Sequence, residues 1–78
     1  MMAEIERDLG SQPIGGILAE RGLRAHDVVA ASTEQITHKM VARACKGRRL
    51  SRRVQVKIQR ALNRATGEQY TLGELFTY

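Results

Sequence analysis

The chain has 78 residues, of which 13 are Lys or Arg and 8 are Asp or Glu, so its formal net charge is +5. This length allows one domain with a modest core and leaves little room for an enzyme cleft beside it. The single cysteine excludes an internal disulfide and a cysteine-based zinc site, and it fits a reducing compartment. With no secretory signal and no apolar run of transmembrane length, we expect a soluble cytoplasmic protein without a metal or cofactor.

The charge is concentrated in one segment. Residues 35–67 contain ten Lys or Arg and no acidic residue, whereas the other 45 residues contain three basic and eight acidic groups. A +10 segment beside a −5 remainder suits a polyanion held in one orientation, and a nucleic-acid backbone is the commonest such partner. A solvated surface is the alternative interpretation. The basic segment contains no aromatic residue, which argues against a single-strand binder that stacks bases on aromatic rings.

Taken in chain order, helical spacing and end signals predict an all-α fold without strands. We expect residues 1–12 to form a lead-in that can be flexible, and residues 13–78 to form a single domain. The first helix is predicted to begin near Pro13 and to end at Gly22. Two adjacent glycines inside it weaken the helix and indicate either close packing or a later start.

A short second helix is predicted over residues 25–31, and a third over residues 38–46, with Thr37 as its N-cap and Gly47 as its end. The third helix divides into an apolar arc and a small, polar, cationic arc, the pattern needed by a helix that lies in a groove. The apolar arc comprises Met40, Val41, Ala44 and Cys45, and the cationic arc comprises His38, Lys39, Ala42, Arg43 and Lys46.

The fourth helix carries the strongest helical signal in the chain. Its apolar residues recur at helical spacing from Val54 to Ala65, between a cap at Ser51 and a stop at Gly67. Thr71 is predicted to cap a last helical turn. The residues expected in the core are Met40, Val41, Ala44, Val54, Ile58, Leu62, Leu75 and Phe76.

Together these segments resemble the helix-turn-helix domain of the lambda-repressor/Cro (XRE) type, which has five helices in about this length. The resemblance runs from Leu23 to Phe76. Its most specific parts are Val41 with Gly47 six residues later, the string Arg-Arg-Leu-Ser before the fourth helix, and the ordered strings Lys-Ile, Ala-Leu-Asn and Glu-Leu-Phe. The chain departs from the family at Gln35, where a turn glycine is usual, and its connection between the second and third helices is longer, so the turn geometry stays open.

The resemblance implies that the first turns of the third helix reach base edges in the major groove of DNA. Carried over by position, His38, Lys39 and Arg43 are the base-reading candidates, and Ala42 is a small contact for a thymine methyl. For His38 the alternatives are a capping role or a phosphate contact, and for the two cations a solvated surface. The candidates for phosphate contacts are Gln35, Thr37, Lys46, Arg48, Arg49, Arg52 and Arg53.

The resemblance further implies a homodimer on DNA, because one helix reads only a few base pairs. The candidate dimer residues are Val56, Tyr70, Phe76 and Tyr78, although the three aromatic residues are equally compatible with closing the core. Cys45 is predicted to be a small buried hydrophobe, with a reactive thiol as the alternative.

The sequence therefore favours a sequence-specific double-stranded-DNA-binding transcriptional regulator, and we expect a small Cro-like repressor that reads the major groove with residues 37–46. One alternative is an antitoxin-like module that binds a toxin and its own operator. Another is a non-specific nucleic-acid-binding protein. An enzyme is the least favoured, because no paired carboxylates, nucleophile set or phosphate-binding glycine loop is present.

Overall fold

The computed structural model describes residues 10–77, which form five helices and no β-strand. This confirms the prediction of a small all-helical fold. The helices are α1 (Pro13–Glu20), α2 (Ala25–Ala31), α3 (His38–Lys46), α4 (Arg52–Thr66) and α5 (Leu72–Leu75). None of the helices in this described part is long and apolar enough to cross a membrane.

Side-chain caps begin three of the helices at the residues predicted from the sequence. Thr37 Oγ1 accepts a hydrogen bond from the Met40 amide at 3.1 Å, and Ser51 Oγ accepts one from the Val54 amide at 3.3 Å. Thr71 and Glu74 cap α5 reciprocally. Gly47 and Gly67 end α3 and α4 in the left-handed conformation, with φ of +86° and +76°.

The core lies where the apolar faces of all five helices meet. Among the residues expected there, Met40 and Val54 are only half-buried and pack against the core from its edge. The other six are buried: Val41, Ala44, Ile58, Leu62, Leu75 and Phe76. Ile14, Leu18, Val28, Ile36 and Ala61 complete it.

Helix α1 packs against α3 at the first of its two glycines. A Cβ built on Gly15 would lie 3.5 Å from Cys45 Cβ, whereas one built on Gly16 would meet no atom within 4 Å. Of the two interpretations of these glycines, the later start is wrong, since α1 begins at Pro13, and the 3.5 Å distance is an ordinary van der Waals contact, so packing does not require a glycine at either position. This packing holds α3 from one side, while α2 and α4 hold it from the others.

Part of the predicted lead-in is firmly packed. Residues 1–9 lie outside the described part of the chain. Gln12 is buried, and its backbone amide donates a hydrogen bond to the Cys45 carbonyl at 3.2 Å. Gln12 Oε1 accepts hydrogen bonds from both the amide and the hydroxyl of Thr77. Gln12 therefore joins the start of α1 to the end of α3 and to the C-terminal segment.

Candidate nucleic-acid interface

Helix α3 turns its two arcs in opposite directions. Val41 and Ala44 are completely buried against the rest of the protein. All four base-reading candidates, His38, Lys39, Ala42 and Arg43, are exposed, and so is Lys46. In the folded chain, α3 therefore has the packed arc and the exposed cationic arc that were predicted from its sequence.

The exposed arc of α3 and the loop that follows it form one open cleft of about 430 Å³. We call this the basic cleft; its lining residues are Lys39, Ala42, Arg43, Lys46, Arg48 and Arg49. Three base-reading candidates and three phosphate candidates thus share a surface that carries five cationic side chains and no acidic one. A concave surface of this charge attracts polyanions and concentrates them near α3.

The backbone beneath the basic cleft is held by a close approach between two glycines. Gly47 ends α3, and the next residue, Arg48, lines the cleft. The backbone amide of Gly47 donates a hydrogen bond to the Ala44 carbonyl at 3.3 Å. A side chain on Gly47 would collide with the backbone of Gly10. The direction in which the loop leaves α3 therefore depends on a glycine at this position.

The remaining phosphate candidates lie at or just before the starts of α3 and α4. Thr37 uses its hydroxyl oxygen to cap α3, as predicted, and Gln35 is exposed in the connection before it. Arg52 and Arg53 are exposed in the first turn of α4. Backbone amides at a helix start favour anions, so these four residues are in suitable places for phosphate contacts.

Two further cationic residues, Arg60 and Arg64, lie farther along α4. Arg64 is exposed, but Arg60 pairs with Glu34 of the connection between α2 and α3, with Nη1 3.3 Å from Oε2. The Arg60 side chain is 67% exposed, so solvent screens this ion pair strongly and its contribution to stability is small. Its effect is to join the connection to α4.

The first turns of α2 and α3 meet through a histidine pair that the sequence did not predict. His38 Nε2 and His26 Nδ1 lie 3.4 Å apart, and both side chains are exposed. The two residues are twelve positions apart and separated by the irregular connection. No sequence periodicity relates them, and only the path of that connection brings the two rings together.

The structure decides between the two roles considered for Phe76 and constrains another dimer candidate. Phe76 is 3% exposed and packs in the core, where the sequence analysis also listed it, and it does not form a surface patch. Tyr70 is half-buried, and its hydroxyl accepts a hydrogen bond from Arg21 Nε at 3.0 Å. Val56 is half-exposed on α4, and Tyr78 lies outside the described residues.

Arg21 joins α1 to the segment between α4 and α5. Besides Tyr70, it contacts the carboxylate of Glu68 at 3.0 Å. The hydrogen bond to Tyr70 and then the one to Glu68 raise the pKa of the Arg21 guanidinium above its ordinary value. The hydroxyl and the ring of Tyr70 therefore both contact Arg21 within the subunit, with the guanidinium carbon 5.7 Å from the ring centroid.

Cys45 is half-buried at the edge of the α3 core arc, where it meets Gly15. Burial raises the pKa of its thiol, which disfavours the reactive thiolate. The environment therefore agrees with the prediction of a small packed hydrophobe rather than with the alternative of a reactive thiol. No group of three or more potential metal ligands occurs among residues 10–77.

Comparisons with protein-family models, with curated proteins and with solved structures found no match to this chain.

Proposed function

We propose that this protein is a sequence-specific double-stranded-DNA-binding transcriptional regulator, a small repressor of the Cro-like kind. In this proposal α2, the connection and α3 act as a helix-turn-helix of the lambda-repressor type. The observation that carries the proposal is the basic cleft, in which the exposed cationic face of α3, opposite the face that packs on the core, continues into Arg48 and Arg49.

The dimensions and chemistry of α3 suit the major groove. That groove is about 12 Å wide and admits one α-helix. Lys39 and Arg43 can donate hydrogen bonds to guanine O6 and N7, and Ala42 between them is small enough to allow the helix to approach a thymine methyl. His38 at the start of the helix is the fourth base-reading residue.

The residues around α3 supply contacts that position the helix without reading sequence. Lys46, Arg48 and Arg49 extend the cationic surface beyond the helix end, and Arg52 and Arg53 lie at the start of α4, where backbone amides already favour an anion. The Thr37 hydroxyl can donate to a phosphate while its oxygen caps α3. Gln35 provides a further donor in the connection.

A single α3 reads too few base pairs to select one site in a genome, so we propose that two subunits bind half-sites about one helical turn apart. With Phe76 in the core, Val56 on α4 is the described candidate with a half-exposed apolar side chain for subunit contact. The proposal needs no cofactor, and it places the protein in the cytoplasm with the chromosomal DNA.

Selection of bound duplexes from a random pool tests this function. We expect a sharp motif with two-fold symmetry. Lys39→Ala and Arg43→Ala should relax the preference at particular base positions, whereas Arg64→Ala, which removes an exposed cation remote from the basic cleft, should leave the motif unchanged. Absence of any motif, with equal binding to random duplexes, would instead indicate non-specific nucleic-acid binding.

A further inference from the structure

The two imidazoles at the start of α2 and α3 meet edge to edge. Their planes are 12° from parallel, their centroids are 5.6 Å apart, and the facing nitrogens are 3.4 Å apart. The centroid separation exceeds the nitrogen separation by about twice the distance from an imidazole centre to its own nitrogen. Both nitrogens therefore lie near the line that joins the ring centres, which is the geometry of an in-plane N–H···N hydrogen bond and not of face-to-face stacking.

This hydrogen bond restricts the donor and acceptor roles of the other two ring nitrogens, His38 Nδ1 and His26 Nε2. A neutral imidazole has one N–H donor and one acceptor nitrogen. If His38 Nε2 donates, then His38 Nδ1 is an acceptor and His26 Nε2 is a donor; if His26 Nδ1 donates, the two roles are exchanged. In the neutral pair, one nitrogen available to a ligand donates and the other accepts.

One added proton changes this pattern without breaking the bond. The pair then carries a single positive charge, keeps one shared N–H···N bond, and has a donor at both His38 Nδ1 and His26 Nε2. A second proton would place N–H groups on both facing nitrogens and remove the acceptor that the bond needs. The geometry is therefore compatible with zero or one added proton but not with two.

We propose that His26 positions His38 for base reading, and that the proton taken up by this pair determines which base His38 prefers. This inference rests on the DNA-binding function proposed above. With the proton bound, His38 Nδ1 can only donate, so it suits the acceptors guanine N7 and O6, adenine N7 or thymine O4, and it cannot accept from the N4 amino group of cytosine, which presents no acceptor in the major groove. The nearby phosphates favour the charged pair, so DNA binding takes up the proton and acid strengthens binding.

The other titratable groups on the helices near the histidine pair do not change their charge in the pH range of the proposed effect. Histidine is the side chain whose ordinary charge change falls between pH 5 and 8, whereas carboxylates, Lys and Arg keep their charges there. Burial raises the pKa of the Cys45 thiol, which keeps it neutral. Asp27 is held by the Arg24 amide at 2.8 Å, and Glu34 by Arg60. The other charged groups on these elements are Glu20 on α1, Lys39, Arg43 and Lys46 on α3, and Arg52, Arg53, Lys57 and Arg64 on α4.

Duplex binding measured by fluorescence anisotropy between pH 5.5 and 8 at constant ionic strength tests the proton linkage. We expect affinity for the best duplex to rise as pH falls, by up to about tenfold per pH unit and per subunit, the limit for one proton. Because the chain has two histidines, the double variant His26→Gln/His38→Gln contains no imidazole and supplies the baseline. A wild-type profile that matches this baseline would overturn the linkage.

Base preference tests the positioning role. At pH 8, His26→Ala should reduce discrimination at the base that His38 reads, and His26→Gln, whose amide can still bond to His38 Nε2, should restore it. At pH 5.5 the wild type should shift away from cytosine at that base, and His38→Gln should not. If the wild type selects a sharp motif that His26→Ala leaves unchanged at every pH, the inference is wrong while the DNA-binding function stands; if the wild type selects no motif, the function itself fails.

Discussion

Thr77 donates two hydrogen bonds to the side-chain oxygen of Gln12, from its amide at 2.6 Å and from its hydroxyl at 3.0 Å. The two residues are 65 positions apart, and Gln12 is 3% exposed. The same side chain donates from Nε2 to the Gly10 carbonyl at 2.9 Å. One buried amide therefore closes the fold by joining its N-terminal and C-terminal segments.

Replacing Gln12 by alanine removes these bonds and leaves the Thr77 amide without this acceptor. We expect Gln12→Ala to lower the free energy of unfolding by about 1–3 kcal/mol, because it removes three part-buried hydrogen bonds and the net contribution of one hydrogen bond is about 1 kcal/mol. For a domain of this size that corresponds to a fall in melting temperature of at least about 4 °C. Gln69→Ala, at an exposed glutamine, is the control, and equal melting temperatures would contradict the structural role of Gln12.

Two helix-ending glycines allow a matched comparison of backbone effects. Gly47 and Gly67 both have left-handed φ, a conformation that costs a residue with a side chain roughly 1–2 kcal/mol. A Cβ on Gly67 meets no atom within 4 Å, whereas a Cβ on Gly47 would collide with the Gly10 backbone. Urea unfolding should therefore show a larger loss for Gly47→Ala than for Gly67→Ala. Equal losses would mean that Gly10 does not pack there in solution.

The proposed phosphate contacts are tested by the salt dependence of DNA binding. Arg49→Ala should weaken binding to all duplexes and make the plot of log affinity against log salt shallower by about one unit for each lost phosphate contact. Arg52→Ala should do the same. Arg64→Ala removes the same charge from a site remote from the basic cleft and serves as the control. An Arg49→Ala slope equal to that of the control would remove Arg49 from the contact surface.

The thiol of Cys45 provides a prediction in which the sign of the pKa shift matters. Its raised pKa leaves less thiolate at pH 8 than in the unfolded chain, so alkylation by iodoacetamide should be slow and should accelerate on unfolding in urea. The proton is held more firmly in the folded state. Its contribution to stability is therefore complete below the pKa of the unfolded thiol and is lost as pH rises through the folded pKa. Rapid alkylation of the folded protein at pH 8 would contradict this environment.

Sedimentation velocity with a two-fold-symmetric duplex tests the proposed pair of subunits. We expect two subunits on each duplex, and we expect Val56→Asp to reduce occupancy by the second subunit while the melting temperature is retained. Phe76→Ala should instead destabilise the subunit by about 3–5 kcal/mol, because this side chain fills the core. A complex of one subunit per symmetric duplex at saturation would refute the dimer.

Local chemistry explains why so many helix ends were predictable. The bounds of α2 and α3 agree with the predicted ranges 25–31 and 38–46, and Thr37, Ser51 and Thr71 cap their helices as expected. Caps, helix-ending glycines and apolar spacing act within a few residues of one another, so they can be recognised in the sequence. The exposed arc of α3 followed from the same spacing.

Sequence alone therefore determined the all-helical architecture, the helix bounds and the segregation of positive charge onto one face of α3. Only the tertiary structure decided between a core role and a surface role for Phe76, and only it showed that Gln12 bonds to Thr77, that Arg60 pairs with Glu34 and that His26 meets His38. The reason is physical: a helix and its caps depend on neighbours within one or two turns, whereas burial and side-chain pairing depend on groups brought together only when distant segments pack. Local helices and caps can therefore be predicted from the residue pattern, whereas burial and side-chain pairing between distant segments cannot.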